Sequence, residues 1–330
     1  MWRLAHPDRV RVRLAARAVQ AWERLEARSG RSLLLRRGLL WRDPGSGDEV
    51  ASALAAESVA HLLVEAGDVG RFLPGLRPNG VGSVWQPDAG PVLAQLALAV
   101  QLEAFVAAGG TLRSGDRVTH VEPGPGEVTL TMAQASPVVA DVVVLAPGPW
   151  APALLTGLGV ALQLWPVLEQ VTYLEGAPGW EDLPCWYEGE HDGRPGLYAM
   201  PTPGLGYKVG IDRALRPLEP DDTDRTPDPA IEREVAARVG RDLASVRPVP
   251  VASQVCSWTD SPDGRFVLDR LYGGRVVLAC GDSGEGFKFS ALMGEVLADL
   301  AEGSTPDEDI ASFGLARFGG SQPTRPSLGR

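Results

Sequence analysis

Residues 275 to 300, RVVLACGDSGEGFKFSALMGEVLADL, constrain the fold more than any other stretch. An apolar, β-branched strand runs into a turn holding Gly281, Gly284 and Gly286, and a helix follows from about Phe287. Such a junction belongs at the carboxyl edge of a sheet in an α/β protein, where free amide N–H groups and the positive end of the helix dipole meet anionic or carbonyl oxygens. Lys288 falls in the first helical turn. The dipole there favours anions, so a lysine facing a negative ligand is more natural at that position than a purely structural one. Glycine-rich strand-to-helix turns are common, and alone this one names no ligand.

The other lysine makes the first more informative. Lys208 and Lys288 are the only two among 31 basic residues, and both lie in glycine-rich segments, GLGYKVGIDR and GDSGEGFKFS. Arginine supplies surface charge almost anywhere but cannot replace a compact ammonium whose pKa can move. The count alone is compatible with chance; the neighbouring sequence marks both as candidate chemistry. A net charge of −11 argues against phosphate-backbone binding and toward small-molecule partners. Cys185, Cys256 and Cys280 are odd in number, with no CxxC and no zinc-ligand spacing, which fits a reducing compartment. The longest apolar run, VVADVVVLAPGPWAPALL, is broken by Asp141 and prolines, and MWRLAHPDRVRVRL lacks the apolar core of a secretory signal. The expectation is a cytoplasmic, monomeric protein with no membrane, nucleic-acid or metal partner.

The periodicity predicts a helix over 14–28 stopped by Gly30, a strand over 32–41, a helix from Asp48 to Ala66, a strand over 82–86 and a helix over 91–108. TLRSGDRVTHVEP, GEVTLTMA and PVVADVVVLAPG read as successive strands, the last as one buried strand. Residues 162–211 read as an antiparallel sheet, 217–229 as an acidic proline-rich loop and 230–240 as a helix. Then come the strand VASQVCSW, the hairpin GRFVLDRLYGGRVVLAC and the helix from Phe287. This predicts a parallel-sheet domain with an inserted antiparallel one.

Three segments reach a family. LYAMPTPGLGYKVG, QVCSWTDSPDGRFVLD, and GDSGEGFKFSALMGEVLADLAEG followed by DEDIASFGLARF resemble the monomeric sarcosine oxidase and N-methyltryptophan oxidase flavoenzymes. RLAHPD, QPDAG, GDRVTHVE and VVLAPGPW stand in that family's order, so the likeness spans essentially the whole chain. It implies an α/β fold with a glutathione-reductase-type FAD-binding domain over 1–34, 91–160 and 250–330. An interleaved antiparallel substrate domain would cover 35–90 and 161–249.

The resemblance also implies roles. Cys256 matches the cysteine joined to the flavin 8-methyl carbon, where the residues alone would also allow an ordinary buried thiol. Lys208 matches the lysine that activates dioxygen by stabilising developing negative charge. Lys288 and Arg3 match the pair that holds the substrate carboxylate and so orients the amine. Tyr198 matches an aromatic near the substrate, with simple packing an equal reading. Gly281, Ser283, Gly286, Phe287, Gly148 and Trp150 would line the flavin, and Val118 the adenosine end. The implied reaction is FAD-dependent oxidation of a secondary or N-methylated amino acid to an imine, with dioxygen reduced to hydrogen peroxide. A dehydrogenase using another acceptor and a non-catalytic remnant are the alternatives.

Two departures accompany the likeness. The family opens on a βαβ unit with GxGxxG that holds the FAD pyrophosphate, and the 330 residues contain no such motif. A start assigned too late, a fragment and a real loss all account for this; the loss would leave apolar surface exposed. Second, Asp212 stands where relatives often carry a histidine near the substrate, which disfavours sarcosine itself.

Overall fold

In the computed structural model, which describes residues 1–319, the chain opens on helix α1 (Arg9–Ser29). Asp8 caps it, its carboxylate accepting from the Val10 N–H at 2.9 Å, and Gly30 ends it in the left-handed region. Removing the cap by Asp8→Ala is expected to cost about 1 kcal/mol, read as a lower urea midpoint. The chain continues through β1 (Leu39–Arg42), α2 (Gly47–Ala56), β2 (Leu62–Val64), the single turn α3 (Val69–Phe72), β3 (Ser83–Gln86) and α4 (Ala94–Ala107). A meander of β4 (Val118–Pro123), β5 (Val128–Met132) and β6 (Val138–Ala140) leads to β7 (Val143–Leu145) and α5 (Ala151–Gly157). Strands β8 (Trp165–Gly176), β9 (Cys185–Glu188), β10 (Leu197–Thr202), β11 (Gly206–Ile211) and β12 (Arg216–Pro217) follow. The last described elements are α6 (Pro229–Asp242), β13 (Val246–Asp260), β14 (Val267–Leu271), β15 (Val276–Cys280), α7 (Gly286–Ala301) and α8 (Glu308–Ala311).

The largest sheet runs β12-β8-β11-β10-β9-β1-β3-β2, with β13 also paired to β8. Strand alternation sorts its side chains by face. Leu197, Ala199, Tyr207, Val209 and Ile211 pack with Ile231, Val235 and Val239 of α6. Tyr198, Met200 and Lys208 point the other way. Register carries that face across the sheet, since Lys208 lies opposite Met200 and Tyr173, and Glu169 opposite Cys256. A second sheet of β14-β15-β7 has β7 and β15 parallel and β14 antiparallel to β15. Helices α1 and α7 pack together through Leu14, Ala18, Phe289, Leu292 and Val296.

Several boundaries differ from the sequence reading. Helix α2 stops at Ala56, ten residues before Ala66. Ser58 enters the left-handed region at φ 55°, and Leu62–Val64 then pairs with β3 instead of continuing the helix. The strand expected over 32–41 is confined to Leu39–Arg42, with Leu34 making only a bridge to Val92. The stretch read as one buried strand, PVVADVVVLAPG, is two: Val138–Ala140 joins the meander and Val143–Leu145 the parallel pair. Asp141 lies at the break, and short apolar runs carry no mark of which sheet they enter.

In the described sheet β7 is an outer strand, and Val144 on it is exposed. Helix α4 carries apolar residues on every side, and Leu98, Leu102, Phe105 and Val106 face solvent while Ala97 and Val100 are buried. No helix among the described residues is long and apolar enough to cross a membrane.

Candidate functional site

Arg3 is positioned by a short segment that pairs with Gly90. Trp2 and Gly90 exchange backbone hydrogen bonds at 2.8 and 3.0 Å, and the Trp2 indole N–H donates to the Ala15 carbonyl. Gln86 Oε1 accepts from the backbone N–H of both Leu4 and Ala5 at 2.9 Å. The guanidinium then lies 4.5 Å above the Trp41 ring, which stacks on Tyr187 at 3.7 Å. Arg3 Nη1 donates to the Ala5 carbonyl and lies 3.1 Å from His6 Nδ1.

The turn between β15 and α7 faces this segment. Gly281, Ser283 and Gly284 all have positive φ, and the turn is tied to the end of β13 by bonds from Ser283 N to the Thr259 carbonyl and from Ser261 N to Ser283 Oγ. Lys288, in the first turn of α7, is buried, and its carbonyl accepts from the Trp22 indole. Its Nζ is 3.0 Å from Glu285 Oε1. Burial, with Arg3 adding, pulls the Lys288 ammonium down to about 7, against the opposing pull of Glu285. Burial and then Arg3 hold His6 neutral, well below its usual value. Despite its own burial, Glu285 is held well below the carboxylate range by the cations around it, Lys288 first, then Arg11 and Arg3.

The sheet face supplies the rest. Tyr198 donates to Glu169 Oε1 at 2.9 Å, and its ring covers Gly210, where an added Cβ would come within 2.4 Å of Tyr198 Cζ. Burial lowers the Lys208 ammonium, opposed by the neighbouring Cys256 and Glu169. Cys256 is exposed on β13, unlike Cys185 and Cys280, which are buried; all three are free thiols. Desolvation and Glu169 push the Cys256 thiol up, with Lys208 opposing. The Met1 amino group, pulled down to about 5 by burial, feels Lys208 from one group and Lys288 and Arg3 from the other, besides Cys185. Asp212 acts on Arg3 and Tyr198 together.

Of the residues singled out in the sequence, Arg3 and Lys288 therefore meet on Glu285, and Tyr198, Cys256 and Lys208 lie together around Glu169. The Gly148–Trp150 turn packs on β8 and β13, the strands that carry Glu169 and Cys256, and Trp150 is exposed there. Phe287 is also exposed, at 42 %, at the mouth of the α7 turn. Val118 lies apart, at the start of β4 in the meander. Sequence reading missed Glu285, Arg11, His6 and Glu169. The i, i+3 spacing of Glu285 and Lys288 was the one available signal, since such pairs meet on a helix.

These residues fit the ring end of a flavin dinucleotide. The set offers an exposed thiol, two lysine ammoniums and a glycine-rich turn, and Gly148, in the left-handed region at φ 53°, has open space where a Cβ would stand. The described residues offer no glycine-rich GxGxxG seat for the pyrophosphate.

The profile of a family described as FAD dependent oxidoreductase matches residues 2–300. Among curated proteins, the peroxisomal sarcosine oxidase of Homo sapiens is 28% identical over 99% of this chain and 85% of its own length. The monomeric sarcosine oxidase of Streptomyces avermitilis is 28% identical over 94% of this chain and 84% of its own. Among solved structures, the open form of NikD, an unusual amino acid oxidase essential for nikkomycin biosynthesis, superposes with a TM-score of 0.82 at 26% identity, covering 95% of this chain and 85% of NikD. L-proline dehydrogenase from P. horikoshii shares the fold, with a TM-score of 0.82 at 18% identity, covering 98% of this chain and 87% of that one.

Proposed function

The chain belongs to the FAD-dependent oxidoreductase family, and from that membership we propose that it oxidises a secondary or N-methylated amino acid to an imine, with dioxygen taking the electrons as hydrogen peroxide. One observation carries the reading: Arg3 and Lys288, far apart in sequence, meet on one buried carboxylate, Glu285, and both act on the Met1 amino group together with Lys208. When bound, FAD supplies the two-electron acceptor.

In this reading Cys256 holds the flavin through its sulfur, with Gly281, Ser283, Gly286, Phe287, Gly148 and Trp150 lining the ring and Val118 toward the adenosine. Arg3 and Lys288 fix the substrate carboxylate. Trp41 fixes the plane of the Arg3 guanidinium by stacking under it, so the amine is presented in one orientation. Tyr198, anchored by Glu169, walls the amine side. Lys208 is a half-buried positive charge that stabilises negative charge developing on dioxygen.

Peroxide release with a panel of N-methylated amino acids tests this. Flavin bleaching by substrate without peroxide would point to another electron acceptor, and no bleaching by any amine would refute the reading. A pH dependence follows from Lys288. Its ammonium is charged below about 7 and neutral above, while Glu285 stays anionic and His6 neutral across that range. Affinity for a carboxylate ligand is therefore expected to be greatest below pH 7. It should fall as pH rises through 7, by up to about tenfold per unit. Titrations of binding against pH check this; a flat profile would remove Lys288 from the seat.

A further inference from the structure

The cation pair that this proposed function gives to a substrate carboxylate already carries one from the protein. Glu285 Oε1 is 3.0 Å from Lys288 Nζ and 3.4 Å from Arg3 Nη2, and Oε2 is 3.1 Å from Arg11 Nε. His6 Nδ1 stands 3.9 Å from the same Oε1. All of this lies out of bulk water, the Glu285 side chain being 14% exposed and that of Lys288 8%.

We propose that Glu285 is an internal latch on the carboxylate seat, a specificity-determining residue that occupies Lys288 and Arg3 until a substrate carboxylate displaces it toward Arg11. The inference rests on the proposed function, because it takes Arg3 and Lys288 as the seat.

Three features support it. First, the bonds of Glu285 are unequal. The contact to Lys288 is short, the one to Arg3 is long, and Oε2 and Arg11 Nε approach without the alignment of a hydrogen bond. A carboxylate held well by one partner and loosely by two can exchange that partner for a better fit to Arg11. Second, three basic side chains, Arg3, Arg11 and Lys288, lie within ion-pair distance of Glu285, and Asp212 acts on Arg3 as well; with the cations still outnumbering the carboxylates, charge is left for one more anion. Buried charges are stable only when compensated, so a second carboxylate is favoured where a second cation is not. Third, Glu285 sits just before the first residue of α7. Its turn is fixed by its own N–H to the Asp282 carbonyl, leaving the side chain to rotate without moving the helix.

The latch makes the seat selective. A ligand with a well-placed carboxylate recovers the contacts that Glu285 gives up, whereas a ligand with a misplaced one does not. Removing the charge therefore strengthens carboxylate binding in general and leaves uncharged ligands unaffected.

Isothermal titration of the flavin-loaded protein with methoxyacetate, an amine-free shape mimic of sarcosine, and with uncharged methoxyacetamide tests this. Glu285→Gln is expected to bind methoxyacetate about tenfold more tightly than the parent protein or better, with methoxyacetamide unchanged. Glu285→Asp pulls the carboxylate back by one methylene and is expected to fall between the two. It carries the comparison alone if the Gln variant does not fold. Equal methoxyacetate affinity in parent and variants would overturn the latch while leaving the seat intact. Binding of methoxyacetamide but of methoxyacetate to none of them would overturn the seat, and the latch with it.

Discussion

Lys208→Met is expected to slow oxygen consumption by the reduced, flavin-loaded enzyme by about 10²- to 10³-fold, the cost of removing one preorganised charge from a developing anion. The rate of anaerobic flavin reduction by substrate should change far less. The difference arises from position. Lys208 projects from β11 on the face shared with Tyr198, Glu169 and Cys256, while the carboxylate seat is built from Arg3 and α7. Methionine keeps the length and apolar stem of the side chain and removes only the charge. Stopped-flow traces of the two half-reactions give the result directly, and equal losses in both would remove Lys208 from the oxygen step.

Gly90→Ala is expected to destabilise the fold by about 3 kcal/mol and to weaken carboxylate binding in whatever remains folded. A Cβ at residue 90 would stand 1.6 Å from the Leu35 carbonyl oxygen, a backbone atom that cannot rotate away. Residue 90 lies between two chain segments. It exchanges both of its backbone bonds with Trp2, while Leu35 and Arg37 bond its neighbours Pro91 and Ala89. Room for a methyl group opens only if Trp2 or Leu35 moves, and Arg3 follows Trp2 directly. A urea midpoint and a methoxyacetate titration on the same preparation read both effects. An unchanged midpoint would mean that the three segments are not held as tightly as the structure has them.

The legible part of the site was local in sequence. GYKVG placed Lys208 on a strand, VCSW placed Cys256 on another and GFKFS placed Lys288 in a helical first turn, because each depends on a few neighbouring residues. The missed part depends on partners far apart. Glu285 has a role only because Arg3 and Arg11 arrive from the other end of the chain, and nothing near Glu285 foretells them. Glu169 was hidden inside WPVLEQVTYLE, where an acidic residue between apolar ones reads as an outward-facing strand position; it is buried because β13 and Tyr198 cover it. The same limit explains the fold errors. Apolar spacing carried the helix past Ala56, whereas the left-handed turn at Ser58 and pairing of Leu62–Val64 with β3 are decided by tertiary contacts. Asp212, singled out for its sequence position, does lie in the field of both Arg3 and Tyr198.

The central proposal is that Cys256, Lys208, Arg3 and Lys288 serve one flavin site, with the flavin attached at Cys256. Visible absorption of the purified protein before and after acid precipitation tests it most directly. The account predicts yellow colour that stays with the precipitated protein and leaves with it in a Cys256→Ser variant. A protein that is colourless, or that releases all its colour into the acid supernatant, would contradict it.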